Sequence, residues 1–167
     1  MPIRPYRPDD LPRLFAANEA SVPGVGRETQ DTLEGWIGLS SCLVAADAAD
    51  VALGFITVLQ IGQPAYDSPN MRWFEAYAEE TGKSVVYVDR IALLPEARGM
   101  RLGEALYQAA FEHFGDVDEI GCEVNTIPPN PGSHRFHKRL GFVEVGEAVF
   151  KANEKAVTYY TKSIGAE

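Results

Sequence analysis

The stretch 88–103, VDRIALLPEARGMRLG, restricts the fold more than any other part of the chain. A strand, apolar but for Asp89 and Arg90, is expected to end at Leu93, Pro95 stops it, and a turn holding Gly99 leads straight into a helical pattern from Leu102. Backbone N–H groups of such a turn, and of the first helical turn after it, have no partner inside the helix. The helix dipole favours negative charge above them. Gly99 and Gly103 permit close approach of a pyrophosphate, and Arg98 and Arg101 add cationic donors. The turn is either a diphosphate cradle or a plain connection with surface arginines, and spacing alone does not choose between them. Spacing does remove two rivals. The turn itself holds no Gly-Lys-Ser/Thr, so it is not a P-loop. The pattern is not GxGxxG and does not follow the first strand, which excludes a Rossmann dinucleotide site.

A chain of 167 residues, 46% hydrophobic and 23% charged, reads as one domain over 1–167 with a sizeable core. Fifteen Lys+Arg against 24 Asp+Glu give a net charge of −9. That field repels phosphate backbones and anionic lipid, so neither nucleic acid nor a membrane is expected as a partner. It suits a cationic or neutral substrate. Cys42 and Cys122 cannot build a disulfide framework, and no Cys/His spacing suggests a metal. The start, MPIRPYRPDD, has no apolar leader, and no apolar run approaches the ~20 residues of a membrane span, so a cytoplasmic location is expected.

The remaining pattern predicts a mixed α/β domain. Strands are expected at 3–7, 43–46, 52–61, 85–93, 119–125, 142–149 and 156–164. Helices are expected at 11–20, capped by Asp9 or Asp10, at 28–39, interrupted by Gly35, and at 71–80, 102–114 and 133–140. Alternation along 119–125 puts Ile120, Cys122 and Val124 on one face and Glu119, Glu123 and Asn125 on the other. The insertion 62–84 carries Trp73, Phe74 and Tyr77, which line an acceptor pocket or pack as a local core or homodimer contact; packing is preferred. Alternation predicts one of Tyr159 and Tyr160 buried and the other exposed.

Two motifs in this order resemble the GCN5-related N-acetyltransferase (GNAT) superfamily. Arg98, Gly99, Met100, Arg101, Leu102 and Gly103 follow its pyrophosphate pattern Arg/Gln-x-x-Gly-x-Gly/Ala, with Arg101 where Gly is usual. Gly99 beside it is expected to supply the lost backbone freedom. Downstream, Glu123, Asn130, Ser133, Leu140, Gly141 and Phe142 fall in register with the family's next strand and helix. The resemblance implies a sheet of about seven strands with helices on both faces, splayed between two central parallel strands.

It also implies acetyl-CoA as co-substrate and direct attack by an amine on the thioester. Backbone groups of Ile91, Ala92 and Leu93 would pair the pantetheine arm, and the turn through Glu104 would hold the pyrophosphate. Asn130, Ser133 and His137 would complete the cofactor site. Glu123 resembles the family's base, with Asp89 as a second candidate for that role or for holding the substrate cation. His137 stands where relatives carry a tyrosine acid. The bland alternatives are a partner for Arg90 or a solvated carboxylate for Glu123, an ion pair for Asp89 and a structural His137. Asn18, Glu19, Asp89 and Asn125 are the candidate substrate contacts. A small primary amine is the preferred acceptor; a peptide N-terminus and a non-catalytic acyl-CoA-binding protein are the alternatives.

Overall fold

In the computed structural model, residues 2–165 are described. Among them the strands are β1 (Ile3–Pro5), β2 (Ser41–Ala46), β3 (Ala52–Gln60), β4 (Val85–Leu93), β5 (Glu119–Ile127), β6 (Val143–Lys151) and β7 (Lys155–Ser163). The helices are α1 (Leu11–Ser21), α2 (Gln30–Leu39), α3 (Pro69–Thr81), α4 (Leu102–His113) and α5 (Pro131–Arg139). The strands pair in the order β1-β2-β3-β4-β5-β7-β6. β4 runs parallel to β5, while β1/β2, β2/β3, β5/β7 and β6/β7 are antiparallel. This is the mixed sheet expected from the sequence. No described helix is long and apolar enough to cross a membrane.

The chain divides into two compact units, Met1–Leu59 with Val88–His113 and Gln60–Tyr87 with Phe114–Glu167. In the first, nearly every β3 residue is buried, whichever face it points to, so both faces are covered. Leu14 and Ala17 of α1 and Leu33 and Ile37 of α2 pack with Val44, Phe55 and Leu94. Helix α4 buries Leu102, Leu106, Tyr107 and Ala110. Gly54 is required where β3 meets the end of β4: a Cβ there would lie 2.4 Å from Leu93 Cδ2 and 2.7 Å from the Ala92 carbonyl oxygen.

Two local expectations are corrected here. Asp10 stands at the N-cap of α1 but its side chain makes no cap bond; its carboxylate accepts from the Arg4 guanidinium at 2.8 and 2.9 Å and from the Arg7 backbone N–H at 2.8 Å. The arginine holds that carboxyl below its usual range. Gly35 does not interrupt α2, because Thr29 caps the helix at Thr32 N and buried Leu33 and Ile37 anchor it on either side of the glycine.

In the second unit the β4/β5 ladder covers Val85, Val86 and Tyr87 against Glu119, Ile120 and Gly121. Tyr159 and Tyr160 are both fully buried, contrary to the alternation argument. Alternation does send them to opposite faces, but each face is covered. Trp73 of α3 stacks on Tyr159 with ring centroids 4.0 Å apart, and His137 of α5 stacks on Tyr160 at 6.2 Å. Trp73 and Phe74 are thus packing residues; Tyr77 donates to Glu119 at 2.7 Å. A Cβ on Gly121 would sit 2.4 Å from Phe74 Cε1, so the glycine is what lets α3 lie this close to β5.

Candidate active site

The first unit holds the turn between β4 and α4. Pro95–Ala97 forms one 3-10 turn, and the chain then passes through Gly99 at φ +81° and Arg101 at φ +59°. Gly99 therefore does not relieve Arg101, because both residues adopt the left-handed conformation. For arginine this conformation costs about 1–2 kcal/mol. Arg101→Gly should remove it and, after the glycine's larger unfolded-state entropy, stabilise the fold by about 1 kcal/mol. The melting temperature should rise by roughly 2–4 °C; a fall on scanning calorimetry would contradict the strain.

Helix α4 makes its first backbone bond from Ala105 N–H to the Arg101 carbonyl oxygen, at 3.1 Å. The N–H groups of Leu102, Gly103 and Glu104 consequently have no partner inside the helix. Nothing lies within 4 Å of a Cβ built on Gly99. Met100 is exposed, and Arg98 donates to the Ala20 carbonyl oxygen at 3.0 Å. The turn has the donors, positive dipole and open backbone that an anion requires.

In the same unit a buried arginine ties the α1–α2 loop to β4. Arg90 Nε donates to Asp89 at 2.7 Å, Nη1 to Asn18 Oδ1 at 2.9 Å and to the Gly26 carbonyl oxygen at 3.3 Å, and Nη2 to Glu28 at 3.4 Å. Glu28 also accepts from Trp36 Nε1 at 2.8 Å. Asp89 is thus buried in an ion pair with Arg90. Asn18 is wholly buried and spans Arg90 and Gly26, so it holds the loop. Glu19 lies 3.4 Å from Arg27.

The second unit holds Glu123, half-buried on β5. Its carboxylate accepts from the Tyr87 hydroxyl at 2.8 and 2.9 Å and from Asn70 Nδ2 at 3.0 Å. Asn70 Oδ1 in turn accepts from the Tyr159 hydroxyl at 2.7 Å. Tyr87, Glu123 and Tyr159 form a row across β4, β5 and β7, in which Glu123 and Tyr159 are direct cross-strand partners. The carboxylate thus has two neutral donors, Tyr87 and Asn70, and Tyr159 reaches it only through Asn70. Asn70, Tyr87 and Tyr159 escape sequence reasoning, although Tyr87 lies on the strand face of Asp89, two residues before it.

Asn125, expected to touch substrate, is buried and engaged twice: Lys155 Nζ donates to its Oδ1 at 2.7 Å, and His134 Nε2 to its carbonyl oxygen at 2.9 Å. Asn130 sits at the N-cap of α5, where its carbonyl accepts from His134 N–H at 3.2 Å and its side chain makes no cap bond. Ser133 Oγ lies 3.3 Å from His137 Nδ1.

His137 is 4% exposed, with ring neighbours Phe136, Phe142 and Tyr160. Its Nδ1 lies 2.8 Å from the Ser133 carbonyl oxygen, an acceptor only, so this nitrogen carries the proton. Burial pushes its pKa down to about 4. The structure gives His137 a packing role in place of the expected proton donor. A histidine neutral when folded must take up its proton on unfolding between pH 6.5 and about 4. Stability should therefore fall as pH drops through that window, by up to roughly 3 kcal/mol from this group. Urea unfolding of the wild type and His137→Phe at several pH values checks this: the variant should show the shallower slope.

The sequence matches the family described as "Acetyltransferase (GNAT) family" over residues 11–142. No curated protein matches it. Solved structures share the fold. Ard1 from Thermoplasma volcanium superposes with a TM-score of 0.75 at 18% identity, covering 98% of this chain and 97% of that one. The ribosomal-protein-S18-alanine N-acetyltransferase from Escherichia coli gives 0.72 at 13% identity, covering 99% and 95%. Arabidopsis thaliana NAA60, solved with a bisubstrate analogue, gives 0.72 at 16% identity, covering 97% of each chain.

Proposed function

The chain belongs to the acetyltransferase (GNAT) family, and from that premise we propose that it transfers an acetyl group from acetyl-CoA to a primary amine, with Glu123 as base. The observation that carries this reading is the half-buried Glu123 carboxylate, oriented by neutral donors from Tyr87 and Asn70. The turn fits the co-substrate's pyrophosphate: Leu102, Gly103 and Glu104 offer free helical N–H groups, and Gly99 leaves the backbone open. Arg101 brings its charge to the same turn. Backbone groups of Ile91, Ala92 and Leu93 would hold the pantetheine arm. Acetyl-CoA, when bound, supplies the activated acetyl group as a thioester.

Glu123 then takes a proton from the attacking nitrogen, directly or through a water, as the N–C bond forms and the C–S bond breaks. Neutral donors keep its carboxylate aligned without the full charge neutralisation that a guanidinium would impose. The net charge of −9 raises the local concentration of ammonium substrates. A small amine is the first reading of the acceptor. Peptide N-termini are the second, in view of the ribosomal-protein enzyme that shares the fold. The test is a panel of small amines, amino acids and short peptides with acetyl-CoA, following CoA release. Release with any member supports transferase activity. Acetyl-CoA binding without release would leave an acyl-CoA-binding protein, and loss of both would defeat the reading.

A further inference from the structure

We propose that Asn70, supplied by helix α3, is the positioning residue for Glu123, and that Tyr159 sets the orientation of the Asn70 amide. This rests on the reading of Glu123 as base.

The argument starts with how firmly α3 is held. Ser68 caps it, accepting from Met71 N–H at 3.4 Å, and Arg72 Nη2 donates to the Tyr66 carbonyl oxygen at 2.9 Å. Phe74 fills the space over Gly121, and Trp73 stacks on Tyr159. At the far end Tyr77 and Lys83 both donate to buried Glu119, at 2.7 and 3.2 Å. Asn70, near the start of this helix, therefore approaches Glu123 from a fixed support.

The chemistry of the chain of hydrogen bonds fixes its direction. An ionised carboxylate accepts only, so the Asn70 group facing Glu123 must be the NH₂. The amide oxygen then faces Tyr159, whose hydroxyl must donate to it. Burial raises the Tyr159 pKa, which keeps that donor protonated. Within the second unit, the Tyr87 phenol on β4 donates to Glu123, the Tyr159 phenol stands opposite it on β7, and α3 brings the uncharged Asn70 amide to it. Asn70 thus supplies orientation and one hydrogen bond without adding charge.

A donor to the charged form lowers a carboxyl pKa, so its removal should raise the midpoint. The readout is the ¹³C titration of glutamate side-chain carboxyl carbons in the full chain, which needs no ligand; the Glu123 signal is the one absent from Glu123→Gln. Asn70→Ala should raise the Glu123 midpoint by about one pH unit, the equivalent of one charge-assisted hydrogen bond. Asn70→Asp, nearly the same shape, should raise it further, because two adjacent carboxyls titrate as a pair. Tyr159→Phe should raise it less, and not at all in the Asn70→Ala background, since it acts through Asn70. A Glu123 midpoint unmoved in both folded Asn70 variants overturns the proposal while leaving the base assignment intact. Full turnover in Glu123→Gln overturns the base assignment, and this use of Asn70 with it, even where the midpoint moves.

Discussion

Glu123→Gln is expected to lower turnover by roughly 10²–10⁴-fold at neutral pH while leaving acetyl-CoA affinity nearly unchanged. The amide has the shape of the carboxyl and can still accept from Tyr87 and Asn70 through its oxygen. What it loses is the ability to take a proton, so the loss falls on the chemical step. The wild-type rate should also decline on the acid side as the carboxylate protonates, and the variant should have no such limb. Steady-state rates with the best acceptor from the amine panel, taken across pH 5–9 and paired with calorimetric acetyl-CoA binding, separate the effects. A variant that binds normally and turns over normally would return attention to an amine that arrives already neutral. Asp89 would be a weak substitute, because Arg90 holds it at 2.7 Å and both side chains are buried.

The parts of this molecule that were legible in the sequence are those governed by local rules. β4 matches its predicted bounds residue for residue, because Ser84 and Pro95 flank a mostly apolar run that only Asp89 and Arg90 interrupt. Helix α3, expected at 71–80, runs a little further in the structure, from Pro69, which suits a first turn, to Thr81, where Gly82 at φ +70° ends it. The position of Glu123 on β5 followed from alternation and the family motif. The partners of these residues were not legible. Asn70 and Glu123 are 53 positions apart, and Asn18 and Arg90 are 72 apart. Only the docking of α3 on β5 and of the α1–α2 loop on β4 brings them together. The same gap explains His137. Its helical spacing from Ser133 was plain, yet what decides its protonation is burial among Phe136, Phe142 and Tyr160, a property of the folded unit. Arg101 shows the gap on the backbone: a motif can flag a residue as unusual, but the φ it adopts depends on where the 3-10 turn delivers the chain.

The second large effect concerns Gly103, in the first turn of α4. Gly103→Glu should abolish acetyl-CoA binding while the protein stays folded. The two outcomes separate because the helix dipole acts on both. An acidic side chain in the first turn of a helix is favourable by about 0.3–1 kcal/mol, so the substitution supports α4 and adds to Glu104 already there. Glutamate is also a better helix former than glycine by roughly 0.5–1 kcal/mol. For a bound diphosphate the same charge is harmful. It competes for the N–H groups of Leu102, Gly103 and Glu104 and repels the anion at close range. Calorimetric titration with acetyl-CoA should show no heat of binding, and the melting temperature should hold or rise. Neutral Gly103→Ala tests which part of the argument matters: with little bulk and no charge it should keep most of the affinity. If Gly103→Glu binds acetyl-CoA like the wild type, the diphosphate is held somewhere other than this turn. If Gly103→Ala is as defective as Gly103→Glu, close backbone approach, not charge, dominates the recognition.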